Sequence, residues 1–166
     1  MVDTSAHVLK VADEAWIALA TLHRENPNRD GYSSKEIIGQ VKAASLHSEL
    51  RSGISPHVSL HNVANLPANS ARYRMFYRTA GGKYRLFRPG DDFHPSRTGK
   101  MMPERAELPE QFHYLLDWYE RSYCGNRASR AAQGEDDPFL KMRGVGREIW
   151  AGVEPDEFVN DLRKAW

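Results

Sequence analysis

A short segment near the middle of the chain carries a row of hydrogen-bonding side chains without a single Lys, Arg, Asp or Glu. The segment is SGISPHVSLHNVANLP, residues 52–67. Its polar side chains are His57, Ser59, His61, Asn62 and Asn65. Ser55 can cap a helix and Pro56 is favoured at a first helical position, so we predict a short helix. Asn pairs well with adenine, and His can reach guanine acceptors or phosphate, so this composition favours a helix that contacts DNA bases.

The 100° advance of an α-helix separates this segment into two sides. One side holds Leu60, Val63 and Ala64, which we expect to pack on two preceding helices. The other side holds His61, Asn62 and Asn65 with Val58, and we expect it to project into the major groove. A second interpretation stays open, because exposed Asn and His side chains frequently have no binding role. Asn65 also suits a helix end before Pro67.

A basic, aromatic stretch follows this helix. Residues 72–90 alternate aromatic and cationic side chains on either side of Gly81-Gly82, a pattern typical of a β-hairpin. We expect its cations to lie along the DNA backbone or minor groove. They are Arg72, Arg74, Arg78, Lys83 and Arg85. The alternative is an amphipathic hairpin whose charged face is simply solvated.

The elements that must position these groups can be predicted from helical spacing and caps. Residues 8–25 show an apolar stripe, and Ser33 with Glu36 forms a capping box for a second helix. The fold class is therefore mainly α with a small β-hairpin, a winged helix-turn-helix with a C-terminal helical extension. We divide the chain into a DNA-binding domain (8–90), an extension ending in a packing or dimerisation helix (91–124), a linker (125–137) and a partner-binding tail (138–166).

Charge and composition narrow the function classes. Residues 71–100 hold eight Lys or Arg against two Asp, whereas residues 134–166 hold more acids than bases, which suggests two different partners. The single cysteine, Cys124, allows no internal disulfide, and there is no apolar run of about 20 residues or signal-peptide core. We expect a cytoplasmic protein without membrane contact. No residue set indicates catalysis, a metal or a cofactor, so we expect a non-enzyme.

The stretch ISPHVSLHNVANLPANSARYRMFYRTAGGKYRLFRPGD resembles winged-helix modules of the HARE-HTH type found in uncharacterised bacterial and restriction-associated proteins. The matching pattern is a Ser-Pro start to the third helix and a wing with Phe76, Arg78, Gly82, Tyr84 and Leu86. The resemblance spans about residues 10–124. It implies binding of double-stranded DNA and not catalysis.

The tail has large apolar side chains on a segment that follows a polar linker. Such anchors dominate interfaces, and a linker-borne segment can order on its partner. The stretch RGVGREIWAGVEPDEFVNDLRKAW looks like the C-terminal segment of VapB-type antitoxins, which implies that it wraps a PIN-type or other ribonuclease toxin. Arg147 and Arg163 could then pair with nuclease carboxylates. The candidate partner-binding residues are Arg147, Trp150, Phe158, Leu162, Arg163 and Trp166. Alternatively, the tail folds back on the helix at 108–124.

These observations predict a bacterial DNA-binding transcriptional regulator. We expect the antitoxin of a toxin–antitoxin pair, which represses its own operon and binds paired half-sites as a homodimer. The alternative is an accessory DNA-reading or protein-interaction adaptor of a restriction or defence system.

Overall fold

A computed structural model describes residues 9–44, 46–47 and 49–125, and this part of the chain is mainly helical with one small antiparallel hairpin. The helices are α1 (Val11–Glu25), α2 (Ser34–Ala44), α3 (Ile54–Pro56) and α4 (His113–Trp118). Helix α3 continues as a π-helical turn, His57–His61, and α4 continues as π-helical turns, Tyr119–Cys124. Two 3₁₀ turns, Arg105–Glu107 and Glu110–Phe112, precede α4. The strands are β1 (Phe76–Arg78) and β2 (Tyr84–Leu86).

Helix α1 is the centre of the core. Every residue from 12 to 20 is buried, because α2, α3, β2 and α4 all contact this helix. The buried set includes the carboxylates of Asp13 and Glu14. Lys100 Nζ lies 3.2 Å from Asp13 Oδ1, and an Arg51 guanidinium nitrogen lies 3.4 Å from Glu14 Oε2. These cations offset part of the cost of burying two acids, although burial still raises the pKa of both.

The hairpin predicted around Gly81-Gly82 is confirmed. Phe76 lies opposite Leu86, and Arg78 lies opposite Tyr84. Gly82 has φ of +71°, a left-handed conformation that glycine adopts at no steric cost in a tight turn. Tyr32, between α1 and α2, pairs with Tyr84 through two backbone hydrogen bonds of 2.7 and 2.8 Å. The hairpin is therefore joined by its backbone to the helical core.

The capping box that sequence predicts for α2 is also present. The amide of Ser33 donates to Glu36 Oε2 at 2.8 Å, and the amide of Glu36 donates back to Ser33 Oγ at 3.3 Å. Helix α3 begins at Ile54, two residues before Pro56, so Gly53 and not Ser55 occupies the capping position. Among the described residues, no helix is both long and apolar enough to cross a lipid bilayer.

The helix predicted as a packing or dimerisation surface lies against the core of its own chain. Leu115, Leu116 and Tyr119 are all buried there. The Tyr119 hydroxyl donates to the carbonyl of Phe87, and the Tyr123 hydroxyl donates to Leu86 at 3.1 Å. The π-helical turns after α4 therefore hold the end of β2. The buried side chains of this helical segment do not form an open dimer face. The tail (138–166) and linker residues 126–137 lie outside the described residues.

Candidate nucleic-acid interface

The side chains after α3 are rotated from the positions that an α-helical wheel assigns. The amide of Asn62 donates to the carbonyl of His57 at 3.1 Å, a bond spanning five residues and typical of a π-helical turn. Such a turn contains more residues than an α-helical turn, so later side chains fall on a different face. As a result Asn62, predicted to face outward, is fully buried. Val58 is also predicted to face outward, but it lies four residues after the buried Ile54, on the same helical face, and is fully buried too.

Asn62 therefore does not read DNA bases, and that prediction is wrong. Its side-chain Nδ2 donates to the carbonyl of Ala12 in α1 at 3.1 Å. Its backbone carbonyl accepts from the amides of Met75 and Phe76 at 3.0 and 2.8 Å. Asn62 thus connects the central helix to the start of the hairpin, which is a structural role in the core.

Asn65 also has a different role from the one expected. Its Nδ2 donates to the carbonyl of Arg78 at 2.8 Å, and its Oδ1 accepts from the amide of Arg78 at 2.9 Å. These are the two atoms that would form a paired bond with adenine. Together with a parallel bridge between Val63 and Phe76, they fix the end of the third helical segment against β1.

His57, Ser59 and His61, three of the side chains predicted to contact DNA, are partly exposed. His57 Nδ1 lies 2.8 Å from the carbonyl of Gly53, and the rings of His57 and His61 meet edge to face at 4.9 Å between centroids. The Ser59 hydroxyl donates to the carbonyl of Ser55 at 2.9 Å. Burial, and then the charges of His57 and Arg97, lower the pKa of His61. His61 therefore presents a neutral imidazole at physiological pH.

The predicted phosphate-binding cations fall into two groups. Arg72, Arg78 and Lys83 are exposed, and none has an ion-pair partner in the part of the chain that the structure describes. Arg85 instead forms a bidentate pair with Asp91 at 2.6 and 3.0 Å and is mostly buried. Such a pair leaves little charge for phosphate, so Arg85 is a structural residue here.

Arg74 is likewise held in place. Its Nε donates to the carbonyl of Gly99 at 3.0 Å, and its guanidinium lies 4.7 Å from the ring centroid of Phe93. Arg74 and Arg85 therefore contact groups within the protein, where the sequence analysis predicted contacts with DNA. The hairpin offers fewer free cations than its sequence suggests, because local alternation does not reveal these distant partners.

Sequence reasoning missed the structural role of Arg97, whose guanidinium is buried beneath the proposed interface. This side chain is fully buried, and it has no carboxylate partner among the described residues. Each of its nitrogens donates to backbone carbonyls instead. The acceptors are Leu66 from Nε (2.8 Å), His61, Ala71 and Tyr73 from one terminal nitrogen (2.6, 3.1 and 3.4 Å), and Leu60 and Pro67 from the other (2.8 and 2.9 Å).

These acceptors come from the end of the third helical segment and from the loop that leads to β1. Carbonyls at a helix end lack partners within the helix and attract positive charge. Arg97 therefore holds the loop at residues 66–73, which carries exposed Arg72, next to the helix end. In the sequence, Arg97 stands out only as one of the cations of the basic segment 71–100. We interpreted the charge of that segment as evidence for an external partner.

Comparison of the chain with protein-family models, with curated proteins and with solved structures found no significant match.

Proposed function

We propose that the chain is a DNA-binding regulator that contacts duplex DNA with its hairpin and with the exposed side of the third helical segment. The observation that carries this proposal is the pair of hydrogen bonds between Asn65 and the backbone of Arg78. They join the helix end to the strand that bears the exposed guanidinium of Arg78. Arg72, Lys83 and the two partly exposed imidazoles, His57 and His61, complete the proposed surface.

The order of elements supports the more specific assignment of a winged helix-turn-helix. Two helices with a bridging residue between them, Tyr32, are followed by a third helical segment and a two-stranded hairpin. This is the order expected from the resemblance to HARE-HTH modules. In such an arrangement the third helix meets the major groove and the hairpin meets the adjacent backbone.

The loss of Asn62 and Asn65 as base readers changes the kind of recognition we propose. Phosphate contacts give affinity and orientation, whereas base contacts give specificity. With three exposed cations and only His57, Ser59 and His61 left to reach bases, we expect modest sequence preference. Affinity should depend strongly on salt, because neutralising phosphates releases counterions.

Replacing Arg78 and Lys83 together with Ala should weaken binding to duplex DNA about tenfold at low salt. It should also reduce the slope of log affinity against log salt by about two, since each lost phosphate contact removes about one from that slope. Fluorescence anisotropy with a labelled duplex at several salt concentrations measures both quantities. The matched control replaces Arg24 and Arg121, two exposed arginines on α1 and after α4, and should bind as the unmodified protein does. Unchanged binding by the hairpin variant would rule out this interface.

The antitoxin function and the homodimer remain proposals from the sequence, because residues 126–166 lie outside the described structure. A chain ending at residue 137 should no longer copurify with a coexpressed ribonuclease encoded beside it. The full-length protein with Lys141 and Lys164 changed to Ala is the control, and it should retain the partner. Copurification that survives the truncation would end the antitoxin proposal while leaving the DNA-binding proposal intact.

A further inference from the structure

A cavity of about 650 Å³ lies beside α4, and none of the residues that line it is among those proposed to contact DNA. Its lining combines a Met- and Pro-rich loop with one side of α4 and the π-helical turns that follow. Its apolar wall includes Met101, Met102, Leu116, Tyr119 and Cys124, and its charged residues are Lys100, Glu104, Arg105 and Glu120. A volume in this range is typical of small-molecule sites.

Most of the lining is apolar and polarisable. Two methionine thioethers and an aromatic ring, Tyr119, adapt well to large hydrophobic ligands. The thiol of Cys124 adds to this character, because burial raises its pKa and keeps it neutral. The cavity therefore suits an organic molecule with a broad apolar surface.

The basic and acidic residues that line the cavity differ in whether they form ion pairs. Lys100 is paired with Asp13 and Glu107, and Arg105 is paired with Asp117. Glu104 and Glu120 are exposed, and neither carboxylate has an ion-pair partner among the residues that the structure describes. Among the residues that line the cavity, the charge left uncompensated is therefore negative.

We propose that this cavity binds a hydrophobic organic cation, such as a quaternary ammonium or phosphonium compound. The apolar wall buries the ligand's hydrocarbon surface, and the carboxylates of Glu104 and Glu120 at the rim carry the charge opposite to that of the ligand. The inference goes beyond the proposed DNA-binding function and does not depend on it.

Tetraphenylphosphonium and tetraphenylborate provide a direct test, because they have the same shape and opposite charge. Titration calorimetry on the full chain, without DNA, should show binding of the phosphonium at least tenfold tighter than binding of the borate. The double variant Glu104→Gln, Glu120→Gln should bind the phosphonium about five- to tenfold more weakly. Glu110→Gln, which removes an exposed carboxylate that does not line the cavity, is the matched control and should bind normally.

Methyl NMR of the methionines locates the site. Phosphonium binding should shift the Met101 and Met102 methyl signals through the ligand's ring currents and leave the signal of Met75, which is buried in the core, in place. Equal affinity for the two ions, normal binding by the double variant, or shifts that avoid Met101 and Met102 would each overturn the proposal. None of these outcomes bears on DNA binding.

Discussion

Replacing Arg97 with Met is expected to lower the free energy of unfolding by about 3–5 kcal/mol. The guanidinium is fully buried and donates to six backbone carbonyls, so its removal leaves several acceptors without partners. Removing one side of a buried, charge-assisted network costs far more than removing an exposed charge. Urea unfolding of the full chain, followed by circular dichroism, measures the loss.

The geometry of the donor group makes a graded comparison possible. Lys at position 97 keeps the charge but presents its three donors from a single atom, so it should recover only part of the loss, with a deficit of about 2 kcal/mol. Arg72→Met is the matched control, because Arg72 lies in the loop that Arg97 holds yet is exposed. It should change stability by less than about 0.5 kcal/mol. Equal stability of the Arg97→Met and Arg72→Met proteins would show that the carbonyl network is unimportant.

Features determined by neighbouring residues could be predicted from the sequence. The Ser33–Glu36 capping box and the Gly81-Gly82 turn each depend on a few consecutive residues, and both are present. The ion pair between Arg85 and Asp91 is of the same local kind, since the two partners lie only six residues apart. Local chemistry of this kind leaves few alternative structures open to the chain.

The outward face of the third helical segment could not be predicted in the same way. Which side chains face outward there depends on one π-helical turn, whereas the 100° spacing used in the prediction assumes an uninterrupted α-helix. The role of Asn62 depends on Ala12, fifty residues earlier, and Arg97 binds carbonyls 24 to 37 residues away. Contacts between such distant residues leave no periodic pattern, so a polar residue inside the core has the same sequence signature as one that contacts DNA.

Lowering the pH from 7 to 4 should remove about 3 kcal/mol of stability through His23 alone. This imidazole is buried between the rings of Tyr32 and Tyr123, with centroid distances of 5.0 and 5.2 Å. Burial, and then the charges of Arg88 and Arg85, lower its pKa to about 4. In an unfolded chain the pKa of His is about 6.5, and each unit of difference corresponds to about 1.4 kcal/mol.

The sign follows from proton binding in the two states. Between pH 6.5 and 4 the unfolded chain binds a proton at His23 that the folded chain excludes, so stability falls as the pH falls. Asp13 and Glu14 act in the opposite direction, because burial raises the pKa of both and the folded state takes up their protons first. His61, whose pKa is lowered, adds to the loss. The net pH dependence of the unmodified protein therefore mixes several groups.

The contribution of His23 is isolated by comparison with His23→Phe, in which a ring without a titrating nitrogen occupies the same site between two tyrosines. All other groups titrate in both proteins, so the difference between their stability–pH curves should rise to about 3 kcal/mol between pH 7 and 4. Urea unfolding at half-unit pH steps provides the curves. Parallel curves for the His23→Phe and unmodified proteins would mean that the buried imidazole takes up a proton without cost, and that the packing of Tyr32 and Tyr123 around it does not exclude charge.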